Sequence, residues 1–126
     1  MQLQDFLNKA KTKKANEKKV VNIEIKELGA VEFIRPKHGD VLDFLDKTDK
    51  GDESVKEMMQ ATYEMLYLHC PVLQSKELRD EFKPNSPYDL VPELFGITQA
   101  GEILEKFMAA FDMGETEKKI DEEIKN

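Results

Sequence analysis

The stretch "VVNIEIKELGAVEFIRP", residues Val20 to Pro36, decides the fold class of this chain. Apolar and polar residues alternate along it, which is the period of a half-buried β-strand. Gly29 supplies a tight connection in the middle, and Pro36 stops the alternation. The pattern predicts one β-hairpin, and a lone hairpin is only marginally stable in water unless its apolar face packs on helices. The apolar positions are Val21, Ile23, Ile25, Val31 and Phe33.

After Pro36, the local signals are those of helix starts. Ser54 with Glu57, and Ser86 with Pro87 and Asp89, have the residue types of capping boxes. The other predicted N-caps are Asp40, Ser75 and Thr98. The sequence therefore predicts a mainly helical α+β fold, in which one N-terminal β-hairpin packs on a bundle of about five helices.

The two ends of the chain differ in charge from the middle. Residues 1–19 are basic and form a helix or linker, since an amphipathic start is followed by a lysine-rich stretch. We expect residues 20–112 to be the folded domain. Residues 113–126 form an acidic tail with few apolar side chains, which we expect to be frayed. The apolar positions of the first helix are Leu3, Phe6, Leu7 and Ala10.

Composition bounds the class of protein. A length of 126 residues fits one domain, and the single cysteine excludes an internal disulfide. The net charge of −7 makes nucleic acid a poor partner, because such binding rests on neutralising phosphates. No apolar run approaches the ~20 residues of a membrane span, and no signal-peptide core is present. We therefore expect a cytoplasmic protein with no membrane partner.

His69 and Cys70 are the first candidates for catalysis. A reactive thiol needs a lowered pKa, which a helix N-terminus or a nearby cation supplies. Cys70 instead follows a predicted helix and precedes Pro71, so the negative end of the helix dipole disfavours a thiolate. Neighbouring helical residues also point about 100° apart. The pair is interpreted as a helix end, with His69 as a capping or dipole partner.

A near-match to a calcium loop spans Asp46 to Glu57, with Gly51 at the sixth position. Lys50 places a cation where a ligand should be, and Thr48 replaces an expected acid. The stretch is better explained as a turn followed by the Ser54 cap. No glycine cluster is typical of a phosphate loop. The sequence therefore predicts no metal, no cofactor and no catalytic residue.

Three further segments carry a resemblance to a known family. They are "HCPVLQSKELRDEF", "SPYDLVPELF" and "GEILEKFMAAF", in this order after the hairpin ending "VEFIRP". Together they resemble the tail assembly chaperones of long-tailed bacteriophages and prophages, of the XkdN-like type. The residues that match the family's motifs are Pro71, Leu73, Leu78, Asp89, Leu90, Val91, Leu94, Phe95, Glu102, Ile103 and Leu104.

The resemblance implies a non-enzymatic role in the cytoplasm of a bacterial host. Such proteins bind the long, helical tape measure protein while the tail tube polymerises around it. The partners implied are the tape measure protein and other tail proteins, and self-association is left open. The family sets no catalytic residues, so none is carried over to this chain.

A surface for such a partner needs exposed, adaptable apolar side chains. Ile103, Leu104 and Phe107 on the last predicted helix are expected to be core. The residues predicted to bind the partner are Tyr63, Tyr67, Met108 and Phe111. Two other functions are weighed against this one: a small DNA-binding regulatory protein that uses the lysine-rich N-terminal arm, and a thiol enzyme that uses Cys70.

Overall fold

A computed structural model describes residues 2–48 and 54–111. It confirms the mainly helical α+β class. Two strands form the hairpin, and the helices α2 to α6 follow it along the chain. Two short 3₁₀ helices, Pro71–Gln74 and Pro87–Asp89, connect longer elements. In chain order, the longer elements are α1 (Leu3–Asn16), β1 (Val20–Ile25), β2 (Gly29–Ile34), α2 (His38–Thr48), α3 (Val55–Leu68), α4 (Lys76–Phe82), α5 (Leu90–Phe95) and α6 (Ile97–Ala110).

The hairpin has the predicted alternation. β1 and β2 pair antiparallel, with Val21 opposite Phe33 and Ile23 opposite Val31. The inward-facing side chains of Ile23, Ile25 and Phe33 are buried, while the intervening residues stay exposed. The strands therefore present one apolar face, and that face needs a cover.

The last helix supplies much of this cover. α6 packs against β1, α3 and α5. At the centre, the Phe33 ring lies 5.9 Å from the Phe107 ring and 6.3 Å from the Phe95 ring, between centroids. The Phe33–Phe107 contact is edge-on, and such contacts stabilise beyond the area they bury. The hairpin and the helices therefore share one core.

Several helix starts are confirmed. Ser54 Oγ accepts a hydrogen bond from the Glu57 amide at 3.2 Å, and Ser75 Oγ accepts one from the Leu78 amide at 3.3 Å. These caps satisfy amides that have no partner within the helix. α4 ends as predicted before the proline at position 84, because Lys83 leaves the right-handed helical region, at φ 44°.

Two predicted N-caps are wrong. α2 begins at His38, so Asp40 lies inside its first turn, and the Val41 amide bonds to the Lys37 carbonyl. α6 begins at Ile97 after Gly96, which has a φ of 89°, so Thr98 lies inside that helix. In both cases the helix begins two or three residues before the predicted start, because residue preference is a weak guide that tertiary context overrides.

α1 is a helix without a core. It extends through the lysine-rich stretch to Asn16, and none of its residues is buried. The predicted apolar residues do lie on one helix, at helical spacing. They are nevertheless exposed: Leu3 by 73%, Phe6 by 59% and Leu7 by 40%. The predicted frayed tail at 113–126 and the centre of the calcium-loop match lie outside the described residues.

Candidate partner surface

The three tyrosines of the chain gather beside α3. Tyr63 and Tyr67 lie one helical turn apart on α3. The Tyr67 ring meets the Tyr88 ring edge to face, with the centroids 5.3 Å apart. All three side chains are half-buried. We call this set, Tyr63, Tyr67 and Tyr88, the tyrosine surface.

Local hydrogen bonds fix the backbone under the tyrosine surface. Ser86 and Asp89 form the predicted capping box, and the Ser86 amide donates to Asp89 Oδ2 at 3.2 Å, so the turn that carries Tyr88 is closed. Gln74 Nε2 donates to the carbonyls of Tyr67 and Leu68, at 3.0 and 3.1 Å. The end of α3 is therefore held in place, and rings on a fixed backbone lose little entropy when a partner binds.

Of the four predicted binding residues, the structure brings together only the two on α3 and adds Tyr88 to them. Tyr88 was missed because its approach to Tyr67 depends on how α3 packs against the Pro87–Asp89 turn. Met108 is half-buried on α6 and packs against the core. Its role in binding stays a prediction.

Phe111 is a correction. We expected it to be exposed, because it precedes the acidic end of the chain, but it is 1% exposed. Its ring packs edge-on against Phe107, with centroids 5.3 Å apart, and Arg35 covers it. A side chain buried in this way is part of the core and offers a partner no contact in this conformation.

Arg35 is the residue that sequence reasoning missed. Its Nη1 lies 3.1 Å from Glu17 Oε1, its Nε donates to the Lys18 carbonyl, and its backbone amide donates to the Lys19 carbonyl at 2.8 Å. The hydrogen bond from Lys14 and then the charge of Arg35 lower the pKa of Glu17. Arg35 thus joins the segment after α1 to the hairpin and to α6. The only sequence signal was an arginine at a strand end before a proline.

His69 has the helix-end role predicted for it. Its Nδ1 lies 2.7 Å from the Met65 carbonyl oxygen, which can only accept, so Nδ1 carries the hydrogen and donates. Its Nε2 lies 3.3 Å from Asp40 Oδ2, an ion pair when the ring is protonated. The contact links α3 to α2 and explains why Asp40 serves no cap.

Cys70 is fully buried, and burial raises the pKa of its thiol to about 11. The thiol is therefore protonated at neutral pH, as expected. The cause is burial and not the predicted helix dipole, because Cys70 precedes the 3₁₀ helix and the backbone amides of Val72 and Leu73 lower its pKa. Within residues 2–48 and 54–111, no three His, Cys, Asp or Glu side chains are grouped to hold a metal ion.

The comparisons with known proteins add no relative. No family model matches the chain, and no curated protein or solved structure matches it. In the part of the chain that the structure describes, no helix combines the length and the apolar character of a membrane span.

Proposed function

We propose that this protein is a tail assembly chaperone that binds the tape measure protein, without catalysis, through the tyrosine surface. The observation that carries the proposal is the gathering of all three tyrosines beside one helix, half-buried and on a fixed backbone. Tyrosine is enriched where binding energy concentrates at protein interfaces. The resemblance of the ordered motifs to those of the chaperone family supports the choice of partner.

The proposed partner is mostly long amphipathic helix, which binds by laying an apolar stripe against a complementary surface. The edge-to-face rings of Tyr67 and Tyr88 offer both an aromatic edge and an aromatic face to such a stripe. Tyr63 extends the contact by one turn along α3. The complex forms in the cytoplasm of the bacterial host, before the tail is complete.

The test is co-purification with the tape measure protein encoded in the same genome. Tyr67→Ala and Tyr88→Ala should each weaken the complex by about 2 kcal/mol, or roughly thirtyfold in Kd, as buried aromatic anchors do. The matched control is Phe82→Ala, which removes a ring that is 45% exposed on α4. It should leave binding unchanged.

Thermal melts separate binding from folding in these variants. Normal binding by Tyr63→Ala, Tyr67→Ala and Tyr88→Ala, with each variant folded, would show that the surface lies elsewhere. Failure of the unaltered protein to bind the tape measure protein would reject the proposed function as a whole.

One observation favours the DNA-binding alternative. The lysines of the first 19 residues are all exposed, four of them on α1, so they can reach phosphates, and one of them, Lys14, also pairs with Glu17 at 3.1 Å. They are Lys9, Lys11, Lys13, Lys14, Lys18 and Lys19. A shift of duplex DNA that weakens steeply with salt, and that is lost when these lysines become glutamine, would establish this function instead.

A further inference from the structure

The exposed face of α1 changes from apolar to basic along its length. Leu3, Phe6 and Leu7 stand out at one end, and Ala10 lies in the middle. At the other end, Lys13 and Lys14 flank the continuation of the same face, since residues three and four apart are neighbours on a helix. α1 carries four lysines and one aspartate, a net charge of +3.

The chain leaves the folded core beside the basic end of this face. Lys13 and Asn16 of α1 line the same surface cavity as Ala110 and Phe111, the last residues that the structure describes. The Arg35 side chain holds this junction, because it pairs with Glu17 and covers the Phe111 ring. Whatever follows Phe111 therefore starts next to α1.

The sequence that follows complements α1 in charge and length. Residues 112–126 carry six carboxylates and three lysines, a net charge of −3 against the +3 of α1. They number 15, and α1 has 14 residues. Ile120 and Ile124 are four residues apart, so they share one face in a helical conformation. Acidic residues come first after Phe111, and the two isoleucines come later.

We infer that residues 112–126 bind back along α1, in the opposite direction, and cover its exposed face. At about 1.5 Å per residue, both segments span roughly 21–22 Å as helices, so a chain that starts beside Asn16 reaches the far end of α1. Glu115 then falls near Lys13, and Glu117 falls near Lys11. Ile120 and Ile124 fall near Leu7 and Leu3. The inference is independent of the proposed function.

Disulfide trapping in the full chain tests this placement. Leu7→Cys combined with Ile120→Cys should close an intrachain disulfide in oxidised glutathione. Leu7→Cys combined with Glu122→Cys is the matched control, since position 122 lies on the opposite side of a helical segment. Proximity should make the first pair form about tenfold faster than the control. Cys70 does not compete, because it is buried with a raised pKa.

A second measurement uses the absence of tryptophan from the chain. In Phe6→Trp, the tryptophan fluorescence emission should shift to longer wavelength when Ile120→Gln and Ile124→Gln are added, because the tryptophan then becomes more exposed to water. It should not shift with Glu122→Gln and Lys125→Gln, which also leave the net charge unchanged. α1 buries no residue, so these variants are expected to keep the core, as a thermal melt will check.

Equal rates of disulfide formation for the two pairs would overturn the inference. So would a tryptophan emission wavelength that does not change when the isoleucines are substituted. A disulfide that forms only between chains, or a shift that depends on protein concentration, would overturn it in favour of a second copy. Emission that moves only when the tape measure protein is added would assign the face to that partner.

Discussion

The Arg35 guanidinium carbon lies 5.1 Å from the centroid of the Phe111 ring, so a charged side chain at the end of β2 closes the end of α6. A cation over an aromatic face is attracted by the ring's quadrupole. Phe111, which the sequence suggested would lie at the edge of the domain, is therefore part of its core.

Phe111→Ala should therefore lower the free energy of unfolding by about 3–5 kcal/mol, the usual cost of removing a buried ring. Urea denaturation measures the loss. Met108→Ala is the control on the same turn, and it should cost less because Met108 is half-buried. A midpoint that barely moves in Phe111→Ala would mean that the ring is not packed as described.

The Tyr67 and Tyr88 rings should stabilise each other in the free protein. A double-mutant cycle with Tyr67→Leu and Tyr88→Leu isolates their interaction, which we expect to be about 0.5–1.5 kcal/mol for an edge-to-face pair. Unfolding of the single and double variants in urea gives the coupling energy. Strict additivity would show that the rings do not interact in solution.

Cys70 should resist alkylation in the folded protein. Burial raises its pKa from 9.0 to about 11, which leaves about a hundredfold less thiolate below pH 9 than an unshifted thiol has. The reaction with iodoacetamide should be slow at pH 8, accelerate as the pH rises toward 11, and become fast in urea. Rapid labelling of the folded chain at pH 7 would revive the thiol-enzyme alternative.

We also expect Cys70→Ser to leave function intact, although the added hydroxyl in an apolar site costs about 1–3 kcal/mol of stability if it finds no partner. Cys70→Ala is the control without the hydroxyl. Loss of binding in a folded Cys70→Ala protein would contradict a purely structural role.

Glu17 should make stability depend on pH in the acid range. Its pKa is lowered in the folded state, so its stabilising effect is complete above the unfolded value of 4.5 and is lost as the pH falls through the folded value. Glu17→Gln should thus reduce the urea midpoint at pH 7, and the difference from the unaltered protein should shrink as the pH falls below 4.5. Glu24→Gln, on the exposed side of β1, should show a smaller change at pH 7.

The sequence predicted what depends on neighbouring residues. The two-residue alternation around Gly29 located the hairpin and its buried face, and serine caps located α3 and α4. In these cases the interacting groups are a few positions apart, so spacing alone carries the information.

What the sequence did not predict depends on contacts between distant positions. Phe111 is buried because Arg35 lies over it, 76 residues earlier in the chain. Asp40 faces His69 instead of capping its own helix, across a separation of 29 residues. Tyr88 joins the tyrosine surface only through the packing of its turn on α3. No local rule couples these positions, so only the folded arrangement brings them together.

The packing of Phe33 against Phe107 sets an order of events during synthesis. The hairpin leaves the ribosome long before α6, and the part of its apolar face that Phe107 covers stays open until then. At roughly 5–20 residues per second, the interval from Phe33 to Phe107 is on the order of 4–15 s. The nascent chain therefore passes through a stage in which part of the apolar face of the hairpin is exposed, and a truncation before α6 should yield insoluble protein.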